Sequence, residues 1–273
     1  MNKVGVMQGR LLPKLNNKYQ AHPTNYWQDE FSISAEMGLD CIEFILDFDS
    51  CRENPLIKNN GISEILSIIK DTNVTVESIC ADYFMESPLH SENPSISIEG
   101  RKVLTSLIKN ASKLGVKDIV IPCVDQSSMN NQDELDRFIN NLKPMIEIAE
   151  DKKINLSLET DLPPNIFLDL LNAFKSKVVT VNYDIGNSAA LGYDSTEELN
   201  AYGEKISDIH IKDRIFGGGS VFLGQGDADF DSFFKRLKDF DYNGPFIMQA
   251  YRDDEGIEIF KKQFDWVSQF LNE

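Results

Sequence analysis

Eight short β-rich segments alternate with eight longer amphipathic segments along the chain, and this order constrains its fold more than any other feature. Strand and helix in regular alternation are the pattern of βα units around a parallel sheet. The predicted strands are VGVMQG (4–9), CIEFIL (41–46), VTVESIC (74–80), DIVIPCV (118–124), NLSLET (155–160), VTVNYD (179–184), ISDIHI (206–211) and PFIMQAY (245–251). The predicted helices lie near 27–37, 61–71, 97–114, 132–151, 164–174, 195–203, 229–239 and 256–271. Eight such pairs in 273 residues predict an α/β protein, a (β/α)₈ TIM barrel with one domain over residues 1–273.

The longest irregular stretches each follow a predicted strand, at 10–26, 82–96 and 212–228. In a (β/α)₈ barrel the loops that follow the strands shape the active site. No linker, low-complexity stretch or close repeat divides the chain. We therefore expect one domain whose functional residues lie at the carboxyl ends of its strands.

Charge and composition limit the partners that such a chain can have. Lys and Arg number 27 against 44 Asp and Glu, which gives a net charge of −17 that repels nucleic acids and anionic membranes. The opening MNKVGVMQGR lacks the apolar core of a signal peptide, and no apolar run reaches the ~18 residues of a membrane span. Cysteines stand at 41, 51, 80 and 123 without CxxC spacing, which is typical of small buried hydrophobes. We expect a cytoplasmic protein that acts on a small molecule.

Polar residues interrupt the last four predicted strands near their carboxyl ends. They are Glu159 in LSLET, Asp184 in VNYD, His210 in DIHIKD and Gln249 in FIMQAY. Neighbouring strands lie ~4.8 Å apart, so these four side chains can converge on one point. Two carboxylates, an imidazole and an amide oxygen suit Mn²⁺, Mg²⁺, Co²⁺ or Zn²⁺. Taken singly, each carboxylate could instead cap a loop or helix, and His210 could be a hydrogen-bonded structural histidine.

The segments LSLET, YDIGN and DIHIKDR, followed by the glycine-rich GGGSVFLGQGDADF, resemble the xylose-isomerase-like TIM barrels. This sugar phosphate isomerase/epimerase superfamily also contains endonuclease IV. The resemblance spans nearly the whole chain and implies that one divalent metal is bound by Glu159, Asp184 and His210. It implies that Glu159 is also the catalytic base, and that the protein, like many relatives, forms homo-oligomers.

Gln249 departs from the family, which usually has a glutamate as the fourth ligand and as the second acid/base group of its ketose 3-epimerases. A glutamine can offer an amide oxygen to a metal but cannot take a proton. Proton transfer on one face of the substrate is therefore predicted, as in an isomerase or a dehydratase. Glu43 in the second strand could supply another carboxylate, or it could be a structural strand residue.

Candidate substrate anchors lie in the loops. Lys212 and Arg214 follow His210, and the glycines after them allow a backbone to approach substrate oxygens closely. Arg10 follows the first strand, and His90 follows the third and could face the same pocket. His22, in a polar loop before Pro23, is predicted to be solvated or part of a lid. No nucleotide-binding fingerprint is present.

These residues together predict a divalent-metal-dependent isomerase or epimerase of a sugar or sugar phosphate. The metal would polarise the carbonyl, and proton transfer beside it would pass through an enediolate. Three alternatives stay open: a metal-dependent sugar dehydratase, a sugar-binding relative without catalysis, and an abasic-site endonuclease. The net charge of −17 and the presence of only three histidines argue against the last of these.

Overall fold

Eight parallel strands close into a barrel in the computed structural model of the chain, in which residues 2–271 are described. Each strand pairs with the next one along the chain, and the last pairs with the first to close the ring. The strands are β1 (Val4–Met7), β2 (Cys41–Ile45), β3 (Thr75–Cys80), β4 (Asp118–Cys123), β5 (Asn155–Thr160), β6 (Val179–Asp184), β7 (Ile206–Ile211) and β8 (Phe246–Met248). The predicted (β/α)₈ fold is confirmed. β1 and β8 end two and three residues earlier than predicted, and β2 and β4 each end one residue earlier.

Helices surround the barrel and include the eight predicted ones. They are α1 (Trp27–Glu36), α2 (Gly61–Thr72), α3 (Tyr83–Glu86), α4 (Pro94–Leu114), α5 (Gln132–Lys152), α6 (Pro164–Phe174), α7 (Ile185–Leu191), α8 (Ser195–Tyr202), α9 (Phe230–Leu237) and α10 (Ile257–Leu271). The short helices α3 and α7 are additions to the prediction. So is a small hairpin, in which Asp213–Arg214 pairs with Ser220–Val221 above the barrel mouth.

Helix α4 illustrates how local sequence produces these elements. The side chain of Asn93 accepts a hydrogen bond from the backbone N–H of Ser95, and Pro94 occupies the first turn, where no N–H is needed. Gly115 ends the helix in the left-handed region, at φ 79°. Leu104 and Ile108 lie on its buried face, one turn apart. The helix therefore packs against the sheet along its apolar stripe.

The apolar core lies mostly between the sheet and the helices, and a smaller cluster fills the barrel interior. That inner cluster consists of Met7, Cys41, Ile45, Cys80, Val120 and Ile247. Cys123 is also buried and Cys51 is partly exposed, and all four cysteines are free thiols. Within residues 2–271, no helix combines the length and the apolar character that crossing a bilayer requires.

Glu30 of α1 ties down the loop that carries Arg10. Its fully buried carboxylate accepts hydrogen bonds from the backbone N–H groups of Gly9, at 2.7 Å, and Leu11, at 3.0 Å. Burial raises the pKa of Glu30 to about 7. A single side chain thus fixes the backbone on both sides of Arg10.

The prediction that His22 is solvated is wrong. Its ring is buried between Trp27 and Phe44, and its Nδ1 lies 2.8 Å from Oε1 of Gln8. Burial lowers the pKa of His22 to about 4, so the ring is neutral near pH 7. The polar neighbours of His22 in sequence indicated solvent, but aromatic residues from α1 and β2 cover it.

We expect Glu30→Ala to lower the free energy of unfolding by about 2–4 kcal/mol, because two buried N–H groups lose a charged acceptor. Urea denaturation at pH 7.5 measures this change. Glu36→Ala, at an exposed position of the same helix, should change it by less than about 0.5 kcal/mol. Equal effects of the two substitutions would contradict the anchoring role of Glu30.

Candidate metal and substrate site

The four predicted ligands all lie at the carboxyl end of the barrel. Glu159 is in β5, Asp184 ends β6, His210 is in β7, and Gln249 follows β8 directly. All four are buried, with at most 6% of their surface exposed. Glu159, Asp184 and His210 each place one donor atom within 4.8 Å of the others. The fold therefore brings two carboxylates and an imidazole to one point.

His210 is oriented from below by Glu43. Its Nε2 lies 2.8 Å from Oε1 of Glu43, whose other oxygen accepts a hydrogen bond from Ser78. Nδ1 of His210 faces Oδ2 of Asp184 at 3.8 Å. Burial opposes a charge on the ring, but Glu43 and Asp184 outweigh it and raise the pKa of His210 well above its usual value. A histidine held by a carboxylate through one nitrogen, with the other turned toward further ligands, is the usual arrangement in metal sites.

Asp184 is held as an anion. Its Oδ1 accepts a hydrogen bond from the backbone N–H of Asn187 at 2.8 Å, so that Asp184 caps α7. Its Oδ2 accepts a hydrogen bond from Nζ of Lys212 at 3.1 Å. Burial alone would raise its pKa, but Lys212, His210 and the N–H of Asn187 together lower it to about 2. The carboxylate is therefore ionised near neutral pH.

The surroundings of Glu159 shift its pKa in the opposite direction from that of Asp184. Burial, with Asp184 nearby, raises the pKa of Glu159 to about 7, although His210 acts in the other direction. Its Oε1 accepts a hydrogen bond from Nδ2 of Asn187 at 2.6 Å. A carboxyl group with a pKa near neutrality can take and return a proton under ordinary conditions.

Three predicted substrate anchors line one cavity of about 260 Å³ at the barrel mouth. They are Arg10, Lys212 and Arg214, and the other lining residues are Tyr19, Gln20, Asp125, Gly219 and Ser220. Arg214 donates to Oδ1 of Asn187 at 2.8 Å and to the carbonyl of Gly218. Three cations beside a glycine-rich hairpin suit a ligand with several hydroxyl oxygens or an anionic group.

Two further candidates for substrate binding, Glu43 and His90, do not line this cavity. Glu43 is fully buried beneath His210 and contacts that ring. His90 is buried in the loop between α3 and α4, and its carbonyl accepts a hydrogen bond from Arg137 of α5 at 2.7 Å. Within residues 2–271, His90 makes no hydrogen bond to the four predicted ligands. Its role in substrate binding stays a prediction.

The sequence analysis did not single out several residues of the site. Asn182, in β6, has its amide nitrogen 3.2 Å from Nδ1 of His210, and Asn187 contacts Glu159, Lys212 and Arg214. Alternation along β6 could have revealed Asn182, because it lies two residues before Asp184 and faces the same side. Asn187 follows the strand, where no periodicity signals its direction.

A second layer of acids lies deeper in the barrel. Asp208 is fully buried, and neither of its oxygens has a hydrogen-bond partner among the described side chains and backbone. Asp118 accepts hydrogen bonds from Asn155 and Ser207. Burial raises the pKa of Asp118 to about 7 and that of Asp208 well above its usual value. Near pH 7, Asp208 is therefore held in its protonated form, whereas Asp118 can be protonated or ionised.

A closed (β/α)₈ barrel with polar residues at its carboxyl end defines the class of protein, and comparisons of sequence and structure identify the family. The chain belongs to the xylose isomerase-like TIM barrel family, whose sequence model matches residues 31–270. It is 27% identical over 266 residues to an L-ribulose-5-phosphate 3-epimerase of Escherichia coli, and the match covers 88% of each chain.

Two solved structures share the fold. One is a D-allulose 3-epimerase from Methylomonas sp. in complex with D-allulose, with a TM-score of 0.78 and 17% identity over 98% of this chain and 96% of that one. The other is the IolI protein with a bound zinc atom, with a TM-score of 0.77 and 18% identity over 98% and 99%. At these identities the likeness establishes the architecture alone.

We expect the metal-free protein to lose stability as the pH rises from 5.5 to 7.5. Asp118 releases its proton near pH 3.8 when unfolded but near 7 when folded, so its contribution is present at low pH and lost through about pH 7. Over this range it should amount to on the order of 2 kcal/mol. Urea denaturation in the presence of a chelator measures the change. The dependence should be shallower in Asp118→Asn, and an identical slope in that variant would contradict the assignment.

Proposed function

We propose that this protein is a sugar isomerase or epimerase that moves a proton on the carbon next to a carbonyl. The observation that carries the proposal is the convergence of Glu159, Asp184 and His210 at the barrel mouth. A cavity lined by three cationic side chains lies beside them. The similar protein from E. coli is a 3-epimerase of L-ribulose-5-phosphate, and the structural neighbour from Methylomonas is a 3-epimerase of D-allulose.

The proposed substrate is a small ketose or its phosphate. Such a molecule carries an oxygen on every carbon, mostly as hydroxyl groups, and, when phosphorylated, a dianionic group. Arg10, Lys212 and Arg214 offer only donors, which suits both kinds of oxygen. The acidic surface, with a net charge of −17, makes this locally cationic cavity the place where an anionic substrate is attracted.

The donor set at the site fits a divalent metal. Two carboxylates and a histidine nitrogen converge, and the histidine is held through its other nitrogen by Glu43. Glu159, Asp184 and His210 would hold the ion, and its identity among Mn²⁺, Mg²⁺, Co²⁺ and Zn²⁺ is open. A divalent metal bound there would polarise the substrate carbonyl and stabilise an enediolate. The IolI structure, which shares the fold, contains a zinc atom.

Glu159 is the proposed proton carrier. Its pKa of about 7 lets the carboxylate remove a proton from carbon and return it to the neighbouring carbon, as isomerisation requires. Gln249 cannot act as an acid or a base, so transfer through Glu159 reaches one face of the substrate, and epimerisation would need a second proton carrier on the other face. Lys212 and Arg214 would stabilise the negative charge that develops on the substrate oxygens.

We expect Glu159→Gln to slow exchange of the substrate's carbon-bound proton with solvent by about 10²–10⁴-fold. Deuterium incorporation from heavy water measures this exchange across a panel of ketoses and ketose 5-phosphates. The amide keeps the size of the side chain but removes the group that takes the proton.

Glu43→Gln is the matched control. The amide oxygen of glutamine can still accept the hydrogen bond from His210, so exchange should fall much less than in Glu159→Gln. Loss of exchange in Glu43→Gln, with full exchange retained in Glu159→Gln, would assign the base to Glu43. Absence of exchange from the wild-type protein with every sugar of the panel would contradict the proposed function.

A further inference from the structure

The ammonium group of Lys212 lies among the predicted metal ligands. Its Nζ is 3.1 Å from Oδ2 of Asp184, 3.1 Å from Oε1 of Gln249 and 3.2 Å from Oδ1 of Asn187. Only 14% of the Lys212 side chain is exposed. Two of its three acceptors belong to the four predicted ligands, so a positive charge already occupies part of their coordination space.

The hydrogen-bond network determines which atom of Gln249 faces Lys212. Arg10 can only donate, so the atom of Gln20 that lies 2.9 Å from Nη2 of Arg10 must be its oxygen. That same oxygen lies 3.0 Å from the Gln249 amide, which must therefore present its nitrogen to Gln20. The Gln249 oxygen is left to point at Lys212. This orientation follows from donor chemistry, since oxygen and nitrogen of an amide are otherwise hard to tell apart.

Asp82 extends the network and supports the same orientation. Its Oδ2 accepts a hydrogen bond from Nε2 of Gln20 at 2.8 Å, which places the nitrogen of Gln20 on the side away from Arg10. Gln249 is thus held between Gln20 and Lys212. Gln249, which stands where the resemblance leads one to expect a glutamate, is therefore held in position to accept a hydrogen bond from Lys212.

Charge balance gives this arrangement a consequence for metal binding. Glu159 and Asp184, when ionised, carry two negative charges, which a divalent ion alone would neutralise. With Lys212 also in place, the metal and the ammonium group would compete for the same carboxylate oxygen, Oδ2 of Asp184. A glutamate at position 249 would offset the lysine, but Gln249 is neutral.

We propose that Lys212 is a built-in cation that competes with divalent metal for the ligands at the barrel mouth. Metal would bind fully only after the ammonium has left Asp184 and Gln249. Lys212 also lines the cavity that contains Arg214 and Ser220, which gives the displaced side chain a place to go. The inference rests on the ligand set of the proposed function, but its test requires no substrate and no turnover.

The test is the Mn²⁺ affinity of the full-length, chelator-treated protein, measured by titration calorimetry. Lys212→Met keeps the length of the side chain and removes its charge, and it should bind Mn²⁺ at least tenfold more tightly than the wild type. Lys177→Met is the control for net charge, because Lys177 is exposed on the connection between α6 and β6. Its affinity should match that of the wild type.

Affinity in Lys212→Met that is equal to or weaker than that of the wild type would overturn the proposal. An equal gain in Lys177→Met would also overturn it, because the effect would then come from net charge alone. If Lys212→Met does not fold, as judged by circular dichroism, Lys212→Gln replaces it with the same expectation. A wild-type protein that fails to exchange substrate protons but shows this affinity pattern would disprove the catalytic function alone.

Discussion

Burial of several carboxylates at the centre of the barrel is the constraint on which the site depends. An isolated buried carboxylate is costly, so each one must be paired, hydrogen-bonded or protonated. Asp184 is paired with Lys212 and hydrogen-bonded by Asn187, and it stays ionised. Among residues 2–271, Glu159 and Asp118 have no such ion pair, and both have a pKa of about 7. Asp184 is therefore a fixed negative charge, whereas Glu159 and Asp118 can exchange protons near pH 7.

The need to satisfy buried carboxylates also accounts for the order of the polar residues along β7. Asp208 and His210 lie two positions apart and so face the barrel interior on successive levels. Glu43 of β2 reaches across to His210 and is itself held by Ser78 of β3. Three strands therefore cooperate to hold one ring in one orientation. In that orientation, Nδ1 of His210 faces Asp184 and the candidate site at the carboxyl end of the barrel.

Much of this architecture could be predicted from sequence because it depends on local periodicity. Period-two and period-3.6 patterns located the strands and helices, and the polar residues Glu159, Asp184 and His210 were recognisable as exceptions inside apolar runs. The direction of Lys212 could not be predicted in this way, because it follows the strand and its partners come from β6 and from the residue after β8. The burial of His22 was missed for the same reason, since its cover comes from residues distant in the chain.

The most direct test of the account is the position of a metal in crystals of the wild-type protein soaked with Mn²⁺. Anomalous diffraction locates the ion without reference to activity. The account predicts one strong peak, with Glu159, Asp184 and His210 as its nearest protein ligands. A peak held instead by Glu43 and Asp208, the other buried acidic group around His210, or no peak near these residues, would contradict it.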